Sequence, residues 1–588
     1  MKNNSYKELE SKIDNLKEII SKVNTLEILL AINRETLIVG ENYQESIGLN
    51  SPFIQFQYLY GLAVSTEKIS NIVPLDDEIW GEIKKLLNQI FYDYANIFFL
   101  KEFKSKENNN MKLLKESEVS FLAFIEYFNN FMLCYVEQIV DRIKRWFNKY
   151  DNVIKIETNC SVDDFLDFYG FIVNSAQKKW KLLYKQREKI YEIEREINEG
   201  LCLSEFDCFL KTISLSRHRE TLEKEFDKVC MFSIGEIKKR FGKEKTIAFL
   251  NLFTISENNQ NFRYYTEDNP VSSHPIFKIN DNELLNLNNR FLMNAIYILL
   301  NNILEKSTEK EKFFKTRSIE SENKTLSIFK VLFKDKADYF QNIFEEQDKQ
   351  FEHDILIIFK KIIFIIEVKS GKKREPFRDP KKAFKRINDD FNGEKGIQKS
   401  FEQALHLKNK ILNNKKTILY DERGNMITEI LRDSIDEVCI ICVTRESFGA
   451  IASNLSLLLT KPDEEKYPWC VNIFDLETII DGFCFKNLKP ENFIYYLKKR
   501  SELHEIIYAT DELDIAGYFL CYGDFIDLES KNADRVFLSP TYCDIFDKIY
   551  YEKRVINYNF EVDEKPSYID IKKESERFNK LTREQFFD

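Results

Sequence analysis

The chain has 588 residues, 43 % of them hydrophobic, and is long enough for two to four folded domains. A net charge of −10 excludes a uniformly basic nucleic-acid binder. No segment approaches the run of about 18 uncharged apolar residues that a membrane helix needs, and the polar N-terminus does not resemble a signal peptide. We therefore predict a cytoplasmic protein that has no membrane partner.

Residues 1–257 place apolar side chains at helical spacing almost throughout. We predict an all-helical N-terminal region here that senses a signal or binds a partner. Ser161-Val-Asp-Asp164 has the composition of a helix start, and we expect that helix to run to about Asn198. The other segments with helical spacing are Tyr6–Val23, Ser51–Thr66, Asp76–Lys101 and Val119–Lys149, and we predict a loop over Ser105–Glu118.

Residues 258–310 are predicted to be a linker and a connecting helix, and a further helix is predicted over about Arg317–Lys334. On that helix Glu322 falls among apolar residues at three- and four-residue steps. An acidic residue on a core-facing stripe is unusual, which makes Glu322 a candidate functional residue. Glu320 lies off the stripe and is the second choice.

The segment 351–371 contains two apolar runs of five residues, which are typical of strands buried on both faces. Lys360-Lys361 separates the runs and predicts the tip of an antiparallel hairpin. A turn centred on these lysines places Asp354 opposite Glu367 and Glu352 opposite Lys369, so the four charged side chains would share one face. Such crowded carboxylates favour a hard divalent cation.

His353 should then point to the opposite face of its strand, which favours a structural histidine over one that contacts substrate.

A basic loop is predicted over residues 372–385, followed by a helix from about Glu394 to Leu412 that carries Gln398 and Gln403. Further strands, alternating with helices, are predicted at Thr417–Tyr420, Glu437–Thr444 and Trp469–Phe474. This alternation indicates an α/β domain with a mixed sheet and helices on both faces. Residues 501–588 remain an extension of unknown role.

Seven residues in the stretch from 310 to 480 form one pattern, namely Glu322, Asp354, Glu367-Val368-Lys369, Gln398 and Gln403. The pattern resembles the PD-(D/E)XK, or restriction-endonuclease-like, nuclease superfamily, although His353 stands where that motif has proline. The resemblance implies an α/β/α sandwich with a mixed sheet, and we assign the nuclease-like domain to residues 311–500. It also implies hydrolysis of phosphodiester bonds with Mg²⁺, for which Mn²⁺ could substitute.

Within this resemblance each residue has an expected role. Asp354, Glu367 and the carbonyl of Val368 would hold the metal, with Glu322 as a further acidic ligand. Lys369 would position the attacking water and stabilise negative charge on the phosphate. The two glutamines would steady the site from the following helix.

A nucleic-acid substrate, with DNA as the first choice, is expected because residues 360–416 contain 17 Lys and Arg against 7 Asp and Glu, a local excess of +10 that attracts phosphates of DNA and RNA alike. RNA is the alternative substrate, and a catalytically silent scaffold with a nuclease-like fold is the alternative function. A homodimer, a regulatory protein bound through the N-terminal helices and a role in antiviral defence are further expectations, the last by analogy alone.

Overall fold

The computed structural model describes residues 2–37, 47–99, 111–128, 134–201, 204–256, 261–371, 380–529, 533–554 and 567–569. These residues belong to two compact units. The first unit comprises Met1–Ala95 and Ile139–Phe313, and the second comprises Asn96–Gln138 and Phe314–Asp588. Both units are discontinuous in sequence, whereas the predicted domain boundaries at residues 257, 310 and 500 divide the chain into continuous segments.

The first unit is mostly helical, as predicted. The amphipathic segments form long helices, and Ser161 caps one of them by accepting a hydrogen bond from the amide of Asp164. Helices that lie in this unit or begin or end in it are Lys2–Ser21, Thr25–Leu37, Pro52–Ser65, Asp77–Phe99, Val136–Phe147, Asp151–Thr158, Val162–Asn198, Glu205–Asp227, Ile234–Phe241, Lys243–Phe253, Asn289–Lys306 and Lys310–Phe333.

This unit also contains a four-stranded sheet, which corrects two predictions: two of its strands lie in the region 1–257 predicted to be all-helical, and two lie in the predicted linker within residues 258–310. The strands are β1 (Met231–Ser233), β2 (Thr254–Ile255), β3 (Ile276–Lys278) and β4 (Glu283–Asn286), in the order β1-β4-β3-β2. Strands of two to four residues are too short to show the alternation that identifies a strand in sequence.

The helix Met111–Phe128 corrects the loop predicted over Ser105–Glu118, of which residues 105–110 lie outside the described ranges. The polar residues at the start of this helix led to the loop prediction, but the later part of the helix is buried, and Phe124 is fully buried. The helix predicted over Val119–Lys149 is divided between this helix and Val136–Phe147.

The second unit is built on a mixed sheet of seven strands, and its mixed α/β class agrees with the prediction. The strands are β5 (Ala337–Phe344), β6 (Glu352–Phe359), β7 (Ile362–Lys369), β8 (Lys416–Tyr420), β9 (Met426–Leu431), β10 (Glu437–Thr444) and β11 (Trp469–Asn472). Their order in the sheet is β11-β10-β7-β6-β5-β8-β9. The pairs formed among β5 to β9 are antiparallel, whereas β10 pairs parallel with both β7 and β11.

Helices cover both faces of this sheet. On one face Ile355 of β6 and Ile366 of β7 pack against the helix Lys310–Phe333, which we call the acidic helix because it carries Glu322. On the other face Leu356 and Ile365 pack against the helix Ile397–Asn413, the glutamine helix. The alternation of these buried residues explains why both apolar runs of the hairpin lack a polar face.

The remaining elements of the second unit are the helices Pro380–Asn392, Gly449–Ser453, Ile473–Phe485, Pro490–Glu502, Glu512–Tyr522, Ile526–Glu529 and Asp544–Glu552, and the strands β12 (Ile507–Tyr508), β13 (Arg535–Phe537) and β14 (Ser567–Ile569). The basic loop predicted over residues 372–385 is corrected in its last part, because a helix begins at Pro380, and its residues 372–379 lie outside the described ranges. Strands β5 and β9 were not predicted, whereas β10 has the predicted bounds. None of the helices in the described ranges is long and apolar enough to span a membrane.

Candidate functional site

The hairpin of β6 and β7 has the register that the sequence predicts. Ile355 pairs with Ile366, and the pairing continues to Phe359 and Ile362 beside the two-residue turn at Lys360-Lys361. Lys360 has a φ of 55°, the left-handed conformation that the first residue of such turns adopts. Continued by one residue, this register would bring Asp354 opposite Glu367, at the ends of the strands where the polar residues begin.

The strands become irregular at this end. Pairing between β5 and β6 skips Asn342 and Asp354, and Asn342 has a φ of 50°. Phe340 and Ile343 pack against the same apolar cluster although they are three residues apart. The alternation of side chains between the two faces is therefore broken at Asn342 of β5, and the ladder of β6 is interrupted at the facing residue, Asp354.

Asp354 is held by the neighbouring strand. The backbone N–H of Val368 donates a hydrogen bond to Oδ2 of Asp354 at 2.6 Å, which leaves Oδ1 outside this bond. Burial and the negative charge of Glu367 raise the pKa of Asp354 to about 6, although the Val368 hydrogen bond and the charge of Lys369 oppose this rise.

Glu322 projects from the acidic helix into the same field of negative charge. Burial, and then the charges of Asp354 and Glu352, raise the pKa of Glu322 to about 7, against a hydrogen bond from Ser318. The pKa of Glu352 is itself raised by burial and by Asp354. The charge of Asp354 thus disfavours ionisation of carboxyl groups on two different elements, Glu322 on the acidic helix and Glu352 on β6.

His353 corrects the predicted geometry. It was expected on the opposite face from Glu367, yet its Nδ1 lies 2.8 Å from Oε1 of Glu367, and both side chains are buried. The break in alternation at Asn342 and Asp354 turns His353 to the side of the glutamine helix. Its role as a structural histidine agrees with the prediction, because each of its ring nitrogens contacts a carboxylate.

The second of these carboxylates is Glu345, just beyond β5. Nε2 of His353 lies 3.1 Å from Oε1 of Glu345, and Nδ1 of His406 lies 2.8 Å from the same oxygen. Burial alone lowers the pKa of His353, but the hydrogen bonds to Glu345 and Glu367 outweigh it and raise the pKa to about 9. Burial likewise opposes ionisation of Glu345, yet the two histidines hold its pKa below the usual value.

Lys369 ends β7, two residues after Glu367, and is aligned with Thr444 of the parallel strand β10. Its positive charge favours ionisation of Asp354 and so opposes the rise in the pKa of that carboxyl group. Val368, between the two charged residues, buries its side chain against the acidic-helix face of the sheet.

The two predicted glutamines have different surroundings. The side-chain amide of Gln403 donates to the carbonyl oxygen of Glu352, which places it at the edge of the site. Gln398 instead binds the backbone of Thr460, donating to its oxygen at 3.0 Å and accepting from its nitrogen at 2.9 Å. Gln398 therefore holds the loop at Thr460 in place and is not hydrogen-bonded to Asp354 or Glu367.

Two residues of the site were missed by sequence reasoning. Glu345 follows a strand that was not predicted, and His406 lies on the glutamine helix three residues after Gln403. The only signal in the sequence was the helical spacing that places Gln403 and His406 on one side of their helix.

The donor chemistry fits a divalent cation, because carboxylate oxygens are the ligands that Mg²⁺ prefers and Glu322, Asp354 and Glu367 repel one another. The spacing is less favourable. Within the described ranges, no group of three or more His, Cys, Asp or Glu side chains is arranged to hold a metal ion.

Comparisons of the chain with protein-family models, with curated proteins and with solved structures found no match.

Proposed function

We propose that the second unit is a magnesium-dependent nuclease that hydrolyses phosphodiester bonds, with DNA as the favoured substrate. The observation that carries this proposal is the crowding of carboxyl groups at one end of the β6–β7 hairpin. The pKa of Glu322 is about 7 and that of Asp354 about 6, and each rise is caused in part by a neighbouring acid. A cation bound here would relieve this repulsion.

The helices on both faces of the mixed sheet support the α/β/α sandwich that the sequence pattern implies. In the proposed site Asp354, Glu367, Glu322 and the carbonyl of Val368 would hold the ion. When bound, Mg²⁺ supplies charge stabilisation and a water that ionises near neutral pH.

Lys369 is proposed to bind the phosphate that is attacked. It lies two residues beyond Glu367 at the end of β7, and its charge already acts on Asp354. A fixed ammonium group at this position attracts a phosphodiester and favours the build-up of negative charge on its oxygens. Gln403, bound to the backbone of Glu352, would keep the end of β6 in place beside it.

Exposed basic residues on the elements that follow the hairpin in sequence support a nucleic-acid substrate. Lys385 on the helix Pro380–Asn392, Lys395 just before the glutamine helix and Lys399 within it are exposed. Exposed lysines attract backbone phosphates, and binding should weaken as salt increases.

The test compares cleavage of plasmid DNA and of RNA by the full chain, with Mg²⁺ or with EDTA. Wild type is compared with Asp354→Ala and Lys369→Ala. Lys361→Ala is the matched control, since this lysine occupies the opposite end of the same hairpin and is exposed. We expect cleavage by wild type and by the control, and a loss of at least a hundredfold in the other two variants.

Thermal unfolding gives a second measurement. Millimolar Mg²⁺ should raise the melting temperature of wild type by mass action, and Asp354→Ala should remove that response. Cleavage that survives both site substitutions would contradict the assignment. A chain that neither cleaves nor responds to Mg²⁺ or Mn²⁺ would instead favour the scaffold function.

A further inference from the structure

A continuous chain of hydrogen bonds runs behind the proposed metal-binding carboxylates. Glu367 of β7 contacts His353 of β6 at 2.8 Å, and His353 contacts Glu345 at 3.1 Å. The side chains of all three residues are at most 1 % exposed to solvent. The chain includes the expected ligand Glu367, whereas the expected ligands Asp354 and Glu322 do not take part in it.

The geometry determines how the histidine is used. Both ring nitrogens of His353 face carboxylate oxygens, which accept hydrogen bonds and cannot donate them when ionised. Each nitrogen must therefore donate, and the ring cannot rotate without losing both bonds. Oε1 of Glu367 is fixed by one of these bonds, and the direction of its other oxygen, Oε2, follows from the rigid carboxylate plane.

Glu345 is in turn fixed by the glutamine helix. Nδ1 of His406 lies 2.8 Å from its Oε1, and Nζ of Lys410 lies 3.4 Å from its Oε2 and donates to its backbone oxygen at 3.1 Å. The chain of contacts thus joins that helix to β7 through β5 and β6. A buried network of this kind holds each member in one rotamer.

We infer that Glu345 and His353 are positioning residues that orient Glu367 for metal binding by holding one of its two oxygens. This inference rests on the proposed function of the site. In this proposal neither Glu345 nor His353 touches the metal or the substrate. His353 contacts the ligand Glu367, and Glu345 acts on Glu367 through His353. Groups that orient a metal ligand commonly change metal affinity by 10- to 100-fold when they are removed.

The test measures Mn²⁺ binding to the full chain by isothermal titration calorimetry and by the electron paramagnetic resonance signal of free Mn²⁺. Glu345→Gln keeps the shape of the side chain but replaces an acceptor oxygen by a donor nitrogen. We expect its Mn²⁺ dissociation constant to rise at least tenfold. Glu345→Asp, which keeps the charge and shortens the reach, should lie between this variant and wild type.

His504→Gln is the matched control. His504 belongs to the same unit and is 1 % exposed, but its ring nitrogens are hydrogen-bonded to the backbone of Leu455 and Pro468 rather than to carboxylates. It should cost stability without changing the affinity for Mn²⁺. Melting temperatures of all variants show whether a change in affinity exceeds the effect of destabilisation alone.

The outcomes separate the two proposals. Wild type that binds Mn²⁺, loses binding on Asp354→Ala and keeps its affinity in Glu345→Gln would overturn the positioning role while the metal site stands. Wild type that does not bind Mn²⁺ would overturn the metal site, and the positioning role with it. If Glu345→Gln does not fold, Glu345→Asp is judged by the same criterion.

Discussion

Two buried polar clusters in the second unit differ in how their charges are balanced. The arginine cluster consists of Arg500, Glu512, Trp469 and Tyr496. Glu512 accepts hydrogen bonds from Trp469 Nε1 at 2.7 Å, from the hydroxyl group of Tyr496 at 2.5 Å and from Nε of Arg500 at 2.9 Å. One buried cation faces one buried anion, and each is also bound by neutral groups.

The strand-end cluster consists of Glu322, Glu345, His353, Asp354 and Glu367. Here His353 lies between the carboxylates of Glu345 and Glu367, the charge of Asp354 raises the pKa of Glu322, and the charge of Glu367 raises the pKa of Asp354. The cluster thus contains four acids and one histidine, which contacts two of them. The comparison teaches that burial of charge is not by itself a sign of function: a balanced network stabilises the fold, whereas an excess of one sign indicates a site for a ligand of the opposite sign.

The largest expected effect breaks the arginine cluster. Glu512→Gln leaves the guanidinium of Arg500 buried beside a neutral amide, so the free energy of unfolding should fall by about 3–5 kcal/mol. Urea denaturation of the full chain measures this loss. The control is Glu491→Gln, which removes an ion pair with Lys360 at the surface and should change stability by less than about 0.5 kcal/mol. Equal losses in the two variants would contradict the comparison.

A somewhat smaller effect concerns the dependence of stability on pH. The pKa of His353 is raised from 6.5 to about 9, so its contribution is complete below pH 6.5 and is lost as pH rises to about 9. This loss amounts to about 3 kcal/mol in metal-free buffer. His353→Gln should flatten the fall in stability over this range, measured by urea denaturation at several pH values. An unchanged slope would show that the two carboxylates do not hold the imidazolium form.

Glu322→Gln should act with the opposite sign. The pKa of Glu322 is raised from 4.5 to about 7, so its ionisation is less favourable in the folded chain than in the unfolded chain. The free energy of unfolding therefore falls as pH rises from 4.5 to about 7. The variant should gain about 1 kcal/mol over wild type at pH 8, after allowance for solvent screening, and nothing at pH 4. A gain at both pH values would mean that the side chain, rather than its charge, is unfavourable.

The smallest effects distinguish the two glutamines. Gln398→Ala removes both hydrogen bonds to the backbone of Thr460 and should cost about 1 kcal/mol of stability without affecting metal binding. Gln403→Ala removes one exposed hydrogen bond to Glu352 and should cost less than about 0.5 kcal/mol. Cleavage should nonetheless fall more in Gln403→Ala, because only Gln403 contacts a strand of the site.

Sequence reasoning predicted the parts of the fold that depend on local pattern. Unbroken apolar runs and the Lys360-Lys361 tip predicted β6, β7 and their register, and the bounds of β10 followed from a buried-strand pattern. Short or polar strands, such as β1 to β4, β5 and β9, were missed because their stability comes from pairing with other strands. Partners across a sheet leave no periodic signal in the sequence.

For the site, the sequence by itself determined which charged residues end the hairpin, since two-residue alternation and a two-residue turn leave little freedom in register. Only the tertiary structure decided how they are oriented. The left-handed Asn342 in an unpredicted strand breaks the alternation beside Asp354, and His353 turns toward Glu367, Glu345 and the distant glutamine helix. These contacts and those of Glu345 with the glutamine helix join residues up to 65 positions apart, which local pattern does not encode.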